Sequence, residues 1–150
     1  MLARPGAVLL MGFSGSGIGQ IRASLAKLAS VPARAAKDVA EKIDQKLLDS
    51  FTNECDAYGR PWAPLAHSTV KRKNGNSVIM YRTGASMAAT HAVAARGAGV
   101  RISTGPNMAY HLGPSGTRPA RPILPIYGMP ASWNAAIKSA VDAAYSRATK

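Results

Sequence analysis

Residues 33–55 read ARAAKDVAEKIDQKLLDSFTNEC. Within them Ala36, Ala40, Ile43, Leu47 and Phe51 recur at spacings of four, three, four and four, which places five apolar side chains on one face of a helix. The other face carries Asp38 and Lys42 at i and i+4, acid before base, the favourable orientation for an exposed pair. Pro32, just upstream, either breaks the chain or takes the first turn of this helix, where its missing N–H costs nothing.

On the N-terminal side, residues 2–13 read as a short strand that ends in a glycine-rich turn, Ser14 to Gly19. A first helix is expected from Ile18 to Ser30 on the spacing of Ile21, Leu25 and Leu28. On the C-terminal side the composition changes after Tyr58-Gly59. Residues 59–65 (GRPWAPL) hold two prolines and a glycine and are expected to form an irregular loop anchored by Trp62. His67 to Gly75 is basic and polar, with a turn or flexible tip at Asn74-Gly75-Asn76, and Ser77 to Arg82 reads as a strand or the lead into a helical turn. His91–Ala95 and Val100–Thr104 flank Arg96-Gly97-Ala98-Gly99 and predict a hairpin. The prolines of 115–125 exclude helix there, whereas Trp133, Ile137, Val141 and Ala144 mark a terminal helix capped near Ser132. The order strand, helices, strands, helix is that of an α+β fold. At 150 residues and 47% hydrophobic content, one domain spanning 1–150 has enough apolar side chains for a core, with 1–20 as a peripheral strand and flexible turn.

Nineteen Lys and Arg against seven Asp and Glu leave a net charge of +12. Six of the seven acids (Asp38, Glu41, Asp44, Asp49, Glu54 and Asp56) crowd into the long helix and the turn after it, and are expected on its solvated or partner-facing side. From Ala57 to Val141 there is no acidic residue but ten basic ones, so local salt bridges cannot neutralise this stretch. It needs solvent, an acidic partner surface or phosphate.

The chemistry of known catalytic motifs is missing. Gly12 to Gly19 lacks the Lys-Ser/Thr of a phosphate loop, and its glycines alternate rather than follow the dinucleotide spacing. No G-x-S-x-G is present. His67, His91 and His111 lie far apart with one cysteine, a poor metal set, and Cys55 reads as a buried core thiol. No residue is assigned to catalysis, a cofactor or a metal, and no enzyme activity is expected. One cysteine cannot form an internal disulfide, and the apolar run Ala7–Phe13 is too short to span a bilayer, so a soluble protein of a reducing compartment without a membrane role is expected.

Asp56 to Lys73 (DAYGRPWAPLAHSTVKRK) resembles the D-x-x-G-x-x-W-x-x-L-x-x-x-T-x-x-x-K segment of the phage virion morphogenesis family, the Mu-type tail completion proteins. Met80 to Met87 is similar to that family's Leu–Thr–Gly–Leu stretch, with methionines at the leucine positions around Thr83-Gly84. Residues 109–113 (AYHLG) resemble its Tyr–His–Gly element in a contracted form, and 119–124 (PARPIL) its P-A-R-P-F-L box, with Ile123 for phenylalanine. The four elements follow the family's order over about residues 33–145.

The resemblance implies a long helix packed on a small antiparallel sheet with a C-terminal helix, and no catalysis. It implies a homo-oligomeric ring, hexameric in expectation, at the head–tail neck or the head-proximal end of the tail, in contact with other neck, connector or tail tube proteins. Localisation would then be the virion, with the host cytoplasm during assembly. The candidate interface residues are Trp62, Arg118, Arg121, Asp44 and Asp49. Trp62 is read either as an inter-subunit anchor or as a loop anchor in its own core. Arg118 and Arg121 are read either as pairing with a neighbour or with DNA, or as capping carbonyls left free by the prolines. Lys71, Arg72 and Lys73 are candidates for DNA or an acidic partner, or form a solvated loop. The alternative function is that of a sequence-independent DNA-binding protein acting through this basic surface.

Overall fold

The computed structural model describes residues 30–96, 99–105, 108, 111, 113 and 116–150. The expected strand at 2–13, the glycine-rich turn at 14–19 and the helix begun at Ile18 lie outside the described residues, as do Tyr110 and Leu112 of the Tyr–His–Gly element.

Pro32 starts the long helix. Helix α1 spans Val31–Thr52 with the proline in its first turn, where the ring's fixed φ suits the helix and no N–H is lost. It is about 33 Å long at 1.5 Å per residue. Ala36, Ala40, Ile43, Leu47 and Phe51 are all buried, and Val31, Ala35 and Ser50 extend the same stripe. The helix stops three residues short of Cys55. The Asn53 N–H reaches back to the Asp49 carbonyl, and Glu54 then takes a φ of 50°, which turns the chain out of the helical path.

The C-terminal helix, Ala131–Ala148, is named α4 below because two short helices intervene. It begins at Ala131 with Pro130 in the extended N-cap position, two residues before the expected Ser132 cap; the ring holds φ at −61° and supplies no N–H that the entry would leave unpaired. Trp133, Ala140, Ala144 and Ala148 are buried, with Ile137 and Val141 partly so. Val31 and Ala35 at the start of α1 cluster with Ala144 and Ala148 at the end of α4, whereas Trp133 shares the main core with Phe51. The two helices therefore run antiparallel. The carboxylate of Asp38 pairs with Arg147 of α4, not with Lys42, because the neighbouring helix puts a guanidinium in reach. Arg147 is 58% exposed, so this pair orients more than it stabilises.

Strands β1 (His91–Ala94) and β2 (Val100–Ser103) form the expected antiparallel hairpin, with Ala92 opposite Ile102 and Val93 opposite Arg101. A lone two-stranded hairpin is marginal in water. Here it rests on α1: Ala92 is buried in the main core, and its backbone N–H donates to Asp44 Oδ1 at 2.8 Å. The chain is thus an α+β fold, a long helix packed on a small antiparallel sheet and on a C-terminal helix.

Between α1 and the hairpin lie α2 (His67–Arg72) and α3 (Ala85–Ala88). The basic segment 67–75 is thus helical before its turn, which falls at Asn74 and Gly75 with φ of 55° and 85°. Residues 77–82 form neither strand nor helix; Met80 takes a φ of 55° and breaks the extended path. Met80 and Met87 are half-buried against the core, beside the fully buried Ile79.

Candidate functional site

The segment after α1 closes on Asp56. Its Oδ1 accepts the backbone N–H groups of Tyr58 and Arg60, both at 2.9 Å, and its Oδ2 accepts the Arg60 Nε–H at 2.8 Å. Gly59 takes a φ of 81°, the left-handed turn that glycine tolerates best. The Asp–Gly spacing is therefore the chemistry of one tight turn, with the carboxylate standing in for missing backbone partners. The turn delivers Trp62 into the core, where it meets the Phe51 ring edge-on at 6.2 Å between centroids. Its indole N–H donates to the Pro122 carbonyl at 3.2 Å. In return Arg121 sends Nε–H to the Ala63 carbonyl at 2.9 Å and Nη2 to the Pro64 carbonyl at 3.0 Å. The tryptophan loop and the Pro-Ala-Arg-Pro box are thus buttoned to each other from both sides. Trp62 and Arg121, only 6% and 7% exposed, are anchors of their own subunit and not free surface residues.

Three of the acidic residues, Asp44, Glu54 and Asp56, are drawn inward to backbone N–H groups, whereas Asp38, Glu41 and Asp49 keep to the expected solvated side. Asp44 holds Ala92, Asp49 accepts from Gln45, Glu54 Oε1 accepts the Ile79 N–H at 2.7 Å, and Asp56 is buried in its turn. Of the six acids around α1, Glu41 remains exposed without a partner among the described residues. Asp44 and Asp49, half-buried and engaged within the chain, present little free carboxylate to a neighbour.

This leaves many of the basic residues without an acidic partner among the described residues, and the fold gathers several of them. An open cleft of about 710 Å³ has Arg72, Lys73, Arg82, Arg118, Arg121 and His111 in its walls. Ser68, Thr69, Ser86 and Thr117 add hydroxyls, and the half-exposed ring of Tyr81 forms part of the wall. A second depression of about 650 Å³ shares Thr69, Arg72, Lys73 and Arg82, and continues the groove to Asn74 and Asn76. Among the described residues neither is lined by a carboxylate. The ion pairs among the described residues use Arg60, Lys138 and Arg147, so Arg72, Arg82 and Arg118 face the groove with no acid of their own. Lys73 is partly held, its ammonium donating to the Val78 carbonyl. Lys71 is exposed at the end of α2 but lies outside the groove wall. Arg82 and His111 were not assigned as site residues from the sequence, although both fall in the one-signed stretch and within the segments 80–87 and 109–113 that resemble the morphogenesis family.

The groove field shows in His111. Burial, then the guanidiniums of Arg121 and Arg118, push its imidazole below the ordinary value of 6.5. Burial likewise lowers the Arg121 guanidinium below its ordinary value, though an arginine stays charged. Cys55 is half-buried, and burial followed by the charges of Asp56 and Asp49 raises its thiol above 9.0, which makes it a poor nucleophile. Among the described residues no three His, Cys, Asp or Glu side chains come together as a metal set, and no helix is long and apolar enough to cross a membrane.

A separate exposed patch surrounds Tyr127, which is 76% exposed between Ile126 and Met129. The Tyr58 hydroxyl accepts the Tyr127 N–H and donates to the Gly128 carbonyl, both at 2.7 Å, and the Arg60 guanidinium sits 5.1 Å and 5.8 Å from the Tyr58 and Tyr127 ring centroids. This loop is held in shape while its apolar side chains face solvent.

No family model, curated protein or solved structure matches the chain.

Proposed function

We propose that this chain is a structural virion protein of the phage morphogenesis type. It forms a homo-oligomeric ring, hexameric in our reading, at the head–tail neck or the head-proximal end of the tail. Its role is to complete the tail and join it to the head, without catalysis. The observation that carries the reading is the mutual locking of two of its motif segments. Trp62 bonds to Pro122, and Arg121 bonds to Ala63 and Pro64, across about sixty residues of chain. Motif residues that close on one another in this way act as a scaffold, which is the role a structural subunit needs from them.

The exposed apolar side chains fit an assembling protein as well. Ile126, Tyr127 and Met129 stand on a braced loop, and Val78 and Tyr81 lie half-exposed elsewhere. Closed rings are built from two different complementary patches on each subunit, and these surfaces suit that role.

The test is mass photometry of the purified protein, alone and then with isolated tails. A discrete ring, or recruitment to one tail end, supports the proposal. A monomer that ignores tails, in a phage background where particles lacking the protein still join heads to tails, overturns it.

A further inference from the structure

The strongest uncompensated feature of the molecule is the basic groove, and its make-up identifies a class of ligand. Three stretches build it: the end of α2 with Arg72 and Lys73, the nearby loop before α3 with Arg82, and, far along the chain, the proline-rich segment with Arg118. Holding guanidiniums together without a carboxylate costs repulsion that folding alone gives no reason to accept. Each described acid that could have relieved it is engaged elsewhere or, as with Glu41 and Asp142, lies outside the groove wall.

We propose that this groove binds the phosphodiester backbone of nucleic acid without reading its sequence.

Guanidiniums form two parallel hydrogen bonds to a phosphate, a geometry that ammonium groups lack, and arginine dominates this wall. Hydroxyls of Ser68, Thr69 and Thr117 and the amide of Asn74 supply the neutral contacts that fix a backbone in register. The two depressions run into each other through Thr69, Arg72, Lys73 and Arg82, which gives an open track and not an enclosed pocket for one small anion. On an open track of one charge sign the phosphates are the groups met all along the strand, so affinity comes mainly from charge. The inference rests on the groove and holds for a monomer or a ring.

The experiment measures fluorescence anisotropy of a labelled random 20-base-pair duplex with the full chain over a salt series. Light scattering on the same samples keeps the oligomeric state separate from the binding result. Arg82→Gln with Arg118→Gln removes two exposed groove charges that hold no internal partner among the described residues. Arg96→Gln with Arg101→Gln removes two exposed charges from the hairpin as the control. Each phosphate contact contributes about 0.9 to the log–log salt slope, so the groove pair should lower the slope by about 2 and weaken binding roughly 10- to 100-fold near 0.1 M salt. The hairpin pair should change it far less. Circular dichroism checks that both variants are folded, and a single Arg118→Gln, expected to lower the slope by about 1, covers failure of the double variant. Equal losses in both pairs, a salt-flat response, or polyglutamate binding as tightly as the duplex would each overturn the proposal, the last in favour of an acidic protein partner. Complete displacement of the duplex by low millimolar pyrophosphate would also overturn it, in favour of a small-phosphate site.

Discussion

Replacing Trp62 with phenylalanine separates the two roles a tryptophan can play in an assembling protein. The smaller ring keeps the edge-on contact with Phe51 but loses the indole N–H that serves the Pro122 carbonyl. Pro122 is itself buried, so no water replaces the donor, and an orphaned buried acceptor costs about 1–3 kcal/mol. The lost apolar area, on the order of 40 Å², adds about 1 kcal/mol at 25 cal/mol per Å². The expected total is about 2–4 kcal/mol, and at roughly 2–4 °C per kcal/mol for a chain of this size the melting midpoint should fall by roughly 4–16 °C. Urea unfolding followed by circular dichroism at two protein concentrations measures it, with Trp133 left as a fluorescence reporter. The loss should be the same at both concentrations, because the contacts lie within one subunit. A change below about 0.5 kcal/mol, or one that appears only as weakened assembly, would refute the internal-anchor assignment and restore Trp62 as an interface residue.

Four further outcomes follow from particular contacts. Asp44→Ala should cost about 2 kcal/mol and speed hydrogen exchange of the Ala92 amide, since that amide loses its charged acceptor; unchanged exchange would show that the hairpin does not depend on this tether. Gly84→Ala should cost about 1–2 kcal/mol because the residue sits at a φ of 78°. Its new Cβ would also lie 3.3 Å from the Tyr81 ring, so near-ultraviolet circular dichroism should report a displaced tyrosine. Cys55 should alkylate with iodoacetamide at pH 8 more slowly than a free cysteine, and recover the ordinary rate when unfolded, because its thiol is held above 9.0. His111 should titrate below 6.5 by NMR. The unfolded chain then binds its proton first, so stability should fall as the pH drops through 6.5 and level off below the folded value, and His111→Gln should flatten that slope.

Local repetition made part of this protein legible from sequence. The stripe Ala36, Ala40, Ile43, Leu47 and Phe51 has a helical period, and every member is buried. Glycines between two alternating runs marked the hairpin, and the tryptophan loop was recognisable from its prolines. These features depend on residues close in sequence, where spacing alone sets which side chains share a face. Cap positions shifted because backbone entry, not the nearest serine, decided where α4 begins.

Sequence by itself also determined that the stretch from Ala57 to Val141 carries charge of one sign, because that is a matter of composition. Where those charges meet was decided only by tertiary structure. Asp44, Glu54 and Asp56 looked like a solvated acidic face but were drawn inward to serve backbone amides that the fold left without partners. Arg121 was drawn inward to serve two carbonyls, while Arg72, Arg82 and Arg118 were brought from separate segments to one groove. Helical period is a property of neighbours along the chain, whereas the partner of a charge is whatever the folded backbone carries past it.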